Sequence, residues 1–116
     1  YNVRAKEDSE AAKLIADAKV LEEAGCFAVV LEKIPMELAK KVSEAVNIPT
    51  IGIGAGPDCD GQVLVLHDLL GITMDFSPRF LRRYLNLADE IDGAIKQYCA
   101  DVRSRDFPND SESYTS

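Results

Sequence analysis

Basic residues are in short supply. Lys and Arg number 13 against 20 Asp and Glu, a formal net charge of −7. With no basic surplus to neutralise phosphates, nucleic acid and anionic membrane surfaces are poor natural partners. Histidine is almost missing, at His67 alone. The cysteines, Cys26, Cys59 and Cys99, are an odd number at wide, irregular spacing. No CxxC or His-x-x-x-His pattern accompanies them, which argues against a disulfide framework and a zinc site and favours reduced, intracellular thiols. No apolar run approaches the roughly 20 residues that span a bilayer. No charged-then-apolar leader opens the chain, so a cytoplasmic location is expected, mitochondrial if the source is eukaryotic.

What is present is globular in character: 47% of the 116 residues are hydrophobic, enough for one small domain and too few residues for two ordinary ones. The chain begins at Tyr1 without a methionine and enters at once a loop-like "YNVRAKEDSE". The expectation is a segment from the middle of something longer.

Periodicity gives the order of elements. Ala11, Leu14, Ile15, Ala18 and Leu21 recur at three- and four-residue spacing, predicting a helix over about 9–24. Asp8 or Ser9 is its expected N-cap, and Gly25 ends it. "CFAVVLE" is an unbroken apolar run closing on Glu32, the pattern of a parallel strand buried on both faces. Pro35 opens a second helix with Met36, Ala39, Val42 and Val46 inward. "NIP" breaks it, "TIGIGA" reads as the next buried strand, and "VLVLHDLLG" as a third strand-like segment. From about Ser77 to Arg103 the pattern is helical again, and "RDFPNDSESYTS" is a polar tail expected to fray or be disordered. Alternating β and α with short connections means parallel strands and right-handed crossovers. Buried-type strands with both sheet edges bare make a poor free-standing domain. The choice lies between a minimal flavodoxin-like sheet and the closing segment of a (β/α)8 barrel; the abrupt start favours the barrel.

Among residues that carry chemistry, Glu32 is the sharpest candidate. It ends a strand, and the C-terminal strand ends of a barrel form its active-site face. A carboxylate held against an apolar mouth loses solvation, gains a raised pKa and suits a general base near neutral pH. The alternative is a solvated loop residue paired with Lys33. The loop "GIGAG" lacks the spacing of a dinucleotide fingerprint and the Lys-Ser/Thr of a P-loop. Acidic Asp58 and Asp60 behind it would repel phosphate. Gly52, Gly54 and Gly56 are therefore read as allowing close backbone approach. His67 and Asp68 fit a structural pair better than a catalytic one, and Asp58 and Asp60 fit turn formation better than cation binding. Tyr1, Asn2 and Arg4 carry no specific signal.

Several ordered motifs carry a resemblance: "VLE" before "P-x-E-L-A", then "IP-x-IGIGAG", then "DGQ-x-LV-x-HD-x-x-G". Together they resemble the C-terminal part of the ketopantoate hydroxymethyltransferase family, from "YNVRAK" through the final helix. The resemblance implies a (β/α)8 TIM barrel of more than twice this length. Residues 1–104 would be the C-terminal part of that one domain, strands six to eight with their helices, and 105–116 a tail. It implies transfer of a hydroxymethyl group from 5,10-methylenetetrahydrofolate to a Mg2+-bound 2-oxo acid, in a homo-oligomer of the pantothenate pathway. It makes Glu32 the proton acceptor. It places the magnesium carboxylates, and the lysine and serine that hold the oxo acid, on earlier strands, so no metal ligand and no substrate-binding residue is carried onto this chain. By itself the chain is expected to be inactive. Competing readings are another oxo-acid enzyme of the phosphoenolpyruvate mutase/isocitrate lyase superfamily, which "GIGAG" with "DGQ" and "HD" speaks against, and a small non-enzymatic flavodoxin-like binding domain.

Overall fold

Why the first helix begins where it does is a matter of charge and of backbone partners. A computed structural model describes residues 2–116, and Tyr1 lies outside the described residues. Helix α1 (Asp8–Glu23) starts after Glu7, which is extended and makes no side-chain cap bond. Neither Asp8 nor Ser9 is the cap. Asp8 and Glu10 instead bring negative charge to the first turn. Glu10 accepts a hydrogen bond from the Ala5 amide at 3.1 Å and pairs with Arg4 at 3.3 Å. At the other end the Gly25 and Cys26 amides donate to the Glu22 and Leu21 carbonyls, a closed C-terminal turn.

Strand β1 (Val29–Glu32), helix α2 (Met36–Ala45), strand β2 (Thr50–Ile53) and the two-residue strand β3 (Gly61–Gln62) follow. The sheet is parallel in the order β1-β2-β3, with Glu32 opposite Ile53 and Gly52 opposite Gln62. Val29 and Leu31 join Ala18 of α1 and Leu38, Ala39 and Val42 of α2 in one buried cluster. Ala39 and Val42 are completely buried.

One expectation is corrected here. β1 is not buried on both faces: its residues alternate buried and exposed, and Val30 is 61% exposed. Both helices contribute to the cluster on the Val29–Leu31 face. The result is an α/β arrangement of helices and parallel strands. Within α2, Met36 is 57% exposed rather than inward, and Leu38 takes the buried place.

The third strand is also displaced. It forms at Gly61–Gln62, not at "VLVLHDLLG", and its ladder ends with the Val63 amide donating to the Gly52 carbonyl at 3.0 Å. Past Ile53 the chain turns away at Gly54 (φ 67°), so Leu64 and Val65 have no β2 backbone to pair with.

The chain divides into two units, residues up to Val65 with Pro78–Leu81, and Leu66–Ser77 with Arg82–Ser116. The second holds α3 (Leu66–Leu69) and α4 (Leu87–Ser104). The expected helix from Ser77 begins ten residues late, at Leu87. The intervening backbone is used elsewhere: the Tyr84, Leu87 and Ala88 amides donate to the carbonyls of Leu69, Leu70 and Gly71. Arg83 Nη2 donates to the carbonyls of Phe76 and Thr73 and to Ser77 Oγ. On α4, Ile91, Ile95, Tyr98 and Val102 form the expected apolar stripe and all remain exposed. In the last residues, Asn109 Oδ1 caps a 3-10 turn at Asp110–Glu112, and Phe107 packs 5.5 Å from Tyr98.

Candidate functional site

The C-terminal ends of parallel strands are where a sheet of this kind leaves backbone and side chains available to a ligand. β1 ends on Glu32 and β3 on Gln62. Lys33 follows Glu32 in the left-handed region, φ 49°, which costs a non-glycine residue about 1 kcal/mol or more. Two backbone bonds hold it there: its amide donates to the Ile53 carbonyl at 2.8 Å, and its carbonyl accepts from the Arg4 amide at 2.9 Å. The strand therefore stops abruptly after Glu32, and the carboxylate stands at the sheet's rim.

Its surroundings combine charged and apolar side chains. The Glu32 side chain is exposed, in a shallow cleft of about 240 Å³ that it shares with Arg4, Glu10, Lys13, Asp17 and Val30. Ala5, Leu14, Val30, Leu31 and Ile34 supply apolar surface to the same cleft. Among the described residues Glu32 thus shares the cleft with two ion pairs, Arg4–Glu10 at 3.3 Å and Lys13–Asp17 at 2.7 Å.

Beyond β2 the glycines work by close packing. A Cβ at Gly54 would sit 2.9 Å from Phe80 Cδ1 and 3.4 Å from Lys33 Cα. At Gly56 (φ 80°) it would collide with Met36. No helix opens behind this stretch: 54–60 is a run of bends, with no helical N-terminus to receive a phosphate. Gln62 Nε2 donates to the Gly56 carbonyl at 2.8 Å, tying the end of β3 to the loop. Gly54, Gly56, Pro57, Gln62 and Phe80 line a second cleft of about 410 Å³.

The remaining candidates have other occupations. Asp60 accepts from the amide and the hydroxyl of Thr50, at 2.8 and 3.1 Å, and its own amide donates to Thr50 Oγ1. Asp58 is exposed. Among the described residues no three His, Cys, Asp or Glu side chains converge to hold a metal ion. His67 and Asp68 lie in α3, in the second unit, rather than at a strand mouth; the His67 carbonyl accepts from Ile72 and Thr73. All three cysteines are free. No helix among the described residues is long and apolar enough to cross a membrane.

Sequence reasoning singled out neither Gln62 nor Phe80 as a site residue. For Gln62 the signal was the "DGQ" triplet, whose last residue ends a strand. For Phe80 there was none, because its partner Gly54 lies 26 positions earlier in the chain.

Comparison with known proteins adds a family. The family described as Ketopantoate hydroxymethyltransferase matches residues 1–110. A 3-methyl-2-oxobutanoate hydroxymethyltransferase of Porphyromonas gingivalis is 68% identical over 114 residues, covering 98% of this chain and 42% of that protein. The proteins of the same name from Flavobacterium johnsoniae and Chlorobaculum tepidum are 67% and 61% identical, again over 98% of this chain. The chain thus spans about 42% of the length of the curated relatives it matches.

Proposed function

The chain belongs to the ketopantoate hydroxymethyltransferase family, and from that premise we propose that the whole protein transfers a hydroxymethyl group from 5,10-methylenetetrahydrofolate to 3-methyl-2-oxobutanoate, with Glu32 as proton acceptor. The observation that carries the assignment within this chain is the placement of Glu32 as the last residue of a parallel strand, its backbone fixed by the Lys33–Ile53 bond.

The chemistry needs such a group. The C–H bond at C3 of the oxo acid, next to the carbonyl, breaks when a carboxylate takes the proton, and the electron pair becomes an enolate. C3 then bonds to the methylene carbon of the folate, and water supplies the hydroxyl oxygen as tetrahydrofolate leaves, giving ketopantoate. The family resemblance brings Mg2+ as the cation that holds the enolate charge. The residues described here do not form a site for it, and none is assigned to it.

In the same reading the parallel sheet is part of a closed (β/α)8 barrel, with 1–104 inside that one domain and 105–116 as its tail. The whole protein works in the cytoplasm as a homo-oligomer, without nucleic acid or membrane partners, in pantothenate biosynthesis.

The test is Glu32→Gln in the whole protein, followed by exchange of the C3 proton of 3-methyl-2-oxobutanoate into deuterated water. Loss of exchange by about two orders of magnitude or more is expected for removal of a general base. Exchange at the wild-type rate would remove Glu32 from the role. Formation of ketopantoate dependent on the folate separates this activity from other oxo-acid chemistry on the same kind of barrel.

A further inference from the structure

We infer that Glu10 is a positioning residue for the base. Its carboxylate holds a strained kink at Ala5, and that kink, through one backbone bond, holds the strand end that carries Glu32. The inference rests on the proposed role of Glu32 and adds to it a residue that touches no reacting atom.

Two non-glycine residues of this region are left-handed, Ala5 at φ 58° and Lys33 at φ 49°. Neither alanine nor lysine favours that conformation, so each persists only where its surroundings hold it. The two are joined directly: the amide of Arg4, one residue before Ala5, donates to the Lys33 carbonyl at 2.9 Å. With its amide on Ile53 and its carbonyl on Arg4, Lys33 has both flanking peptide planes fixed. It cannot rotate back to an ordinary conformation, a rotation that would turn the rigid peptide joining it to Glu32.

The anchor of Ala5 is Glu10. Ala5 is buried, and its amide donates to Glu10 Oε2 at 3.1 Å. The other oxygen, Oε1, accepts from the Arg4 guanidinium at 3.3 Å. One carboxylate thus grips both residues of the kink. As the third residue of α1, Glu10 stands where a capping glutamate reaches back to the residue before the helix, here Glu7. It reaches two residues further. Helix capping does not call for that contact, whereas a buried left-handed alanine whose amide needs an acceptor does. The Arg4 ion pair is exposed and adds little. The amide bond to a charged acceptor carries the hold.

The experiment compares the whole protein with Glu10→Ala and with Glu10→Ala combined with Ala5→Gly. Glycine adopts the left-handed conformation without steric cost, so it needs no carboxylate to keep it there. Exchange of the C3 proton of 3-methyl-2-oxobutanoate into deuterated water should slow about tenfold or more in Glu10→Ala, as for a displaced catalytic group. The KM for the oxo acid should stay within about twofold. Backbone hydrogen exchange at Arg4 and Lys33 should rise in the same variant. The added glycine should bring the C3 exchange rate back to within about threefold of wild type, a rescue that a merely structural glutamate would not show. A wild-type rate in folded Glu10→Ala overturns the inference, as does a loss that Ala5→Gly leaves uncorrected or a KM that rises by the same factor. If Glu10→Ala does not fold, Glu10→Gln decides: about a twofold or greater slowing that Ala5→Gly reverses upholds the inference, and a wild-type rate overturns it. Lost amide protection at Lys33 together with C3 exchange that survives Glu32→Gln upholds the hold and defeats the proposed base. Retained protection at Lys33 together with exchange abolished by Glu32→Gln does the reverse.

Discussion

The amide of Lys33 donates to the carbonyl of Ile53 at 2.8 Å, closing the ladder at its last pair, Glu32 and Ile53. This bond fixes the strand end that carries Glu32, and it exists because the chain turns sharply on both sides of it. Lys33 turns left-handed on one strand, and Gly54 does so immediately after Ile53 on the other. The side chain that fills the angle is Phe80. The rim is thus held by one backbone bond, two left-handed residues and one ring.

Gly54→Ala should therefore disturb the rim. The added methyl meets Phe80 at 2.9 Å, and alanine is strained at φ 67°. A loss of about 1–3 kcal/mol is expected in urea denaturation of the whole protein. Gly93, inside α4 with nothing within 4 Å of an added Cβ, is the control. Gly93→Ala should stabilise by about 0.5–1 kcal/mol. Equal effects at the two sites would show that the packing at Gly54 does not matter.

Thr50 is fully buried, and its hydroxyl joins Ser43 Oγ at 2.7 Å to the Asp60 carboxylate at 3.1 Å. Thr50→Val keeps the shape and leaves both partners short of a bond. The expected cost is about 1–3 kcal/mol, read from the shift of the denaturation midpoint. Thr50→Ser, which keeps the hydroxyl, should recover more than half of it. A valine variant as stable as wild type would make the network ornamental.

The site's parts differed in how far they could be read in advance. Glu32 was legible because an apolar run that stops on a carboxylate is a local pattern, and so were α1, α2 and β2. The Thr50–Asp60 and Gly54–Phe80 contacts join residues 10 and 26 positions apart, and no spacing rule marks such pairs. The misplaced third strand has a similar cause. "VLVL" has strand composition, but a strand needs a neighbour, and Gly54 has already turned β2 aside. Ser77–Asn86 has helical spacing, yet Arg83 binds the Phe76 carbonyl and the Tyr84 amide binds the Leu69 carbonyl at the end of α3. The double burial expected of β1 failed because an apolar residue such as Val30 records a surface that must be covered, not which element covers it.

Glu22 of α1 accepts hydrogen bonds from the amides of Asn47 and Ile48, at the entry to β2. Carboxylate acceptors of backbone N–H groups are stronger than neutral ones. Glu22→Ala should cost about 1–2 kcal/mol and raise hydrogen exchange at these two amides. Unchanged protection of Asn47 and Ile48 would assign their order to the sheet alone.

The 116-residue chain by itself should form no ketopantoate. Among the described residues β1 pairs only with β2, Val30 is 61% exposed, and no metal-binding cluster assembles. A general base without a second carboxylate cluster or an enclosed cavity cannot hold the enolate it creates. The measurement is folate-dependent ketopantoate formation by the purified chain, alongside the whole protein at equal molarity. The whole protein should turn over and the chain should not. Secondary structure by circular dichroism establishes whether the silent chain is folded. Transfer by the chain alone, at even a hundredth of the whole protein's rate, would mean that the rim around Glu32 is catalytically sufficient.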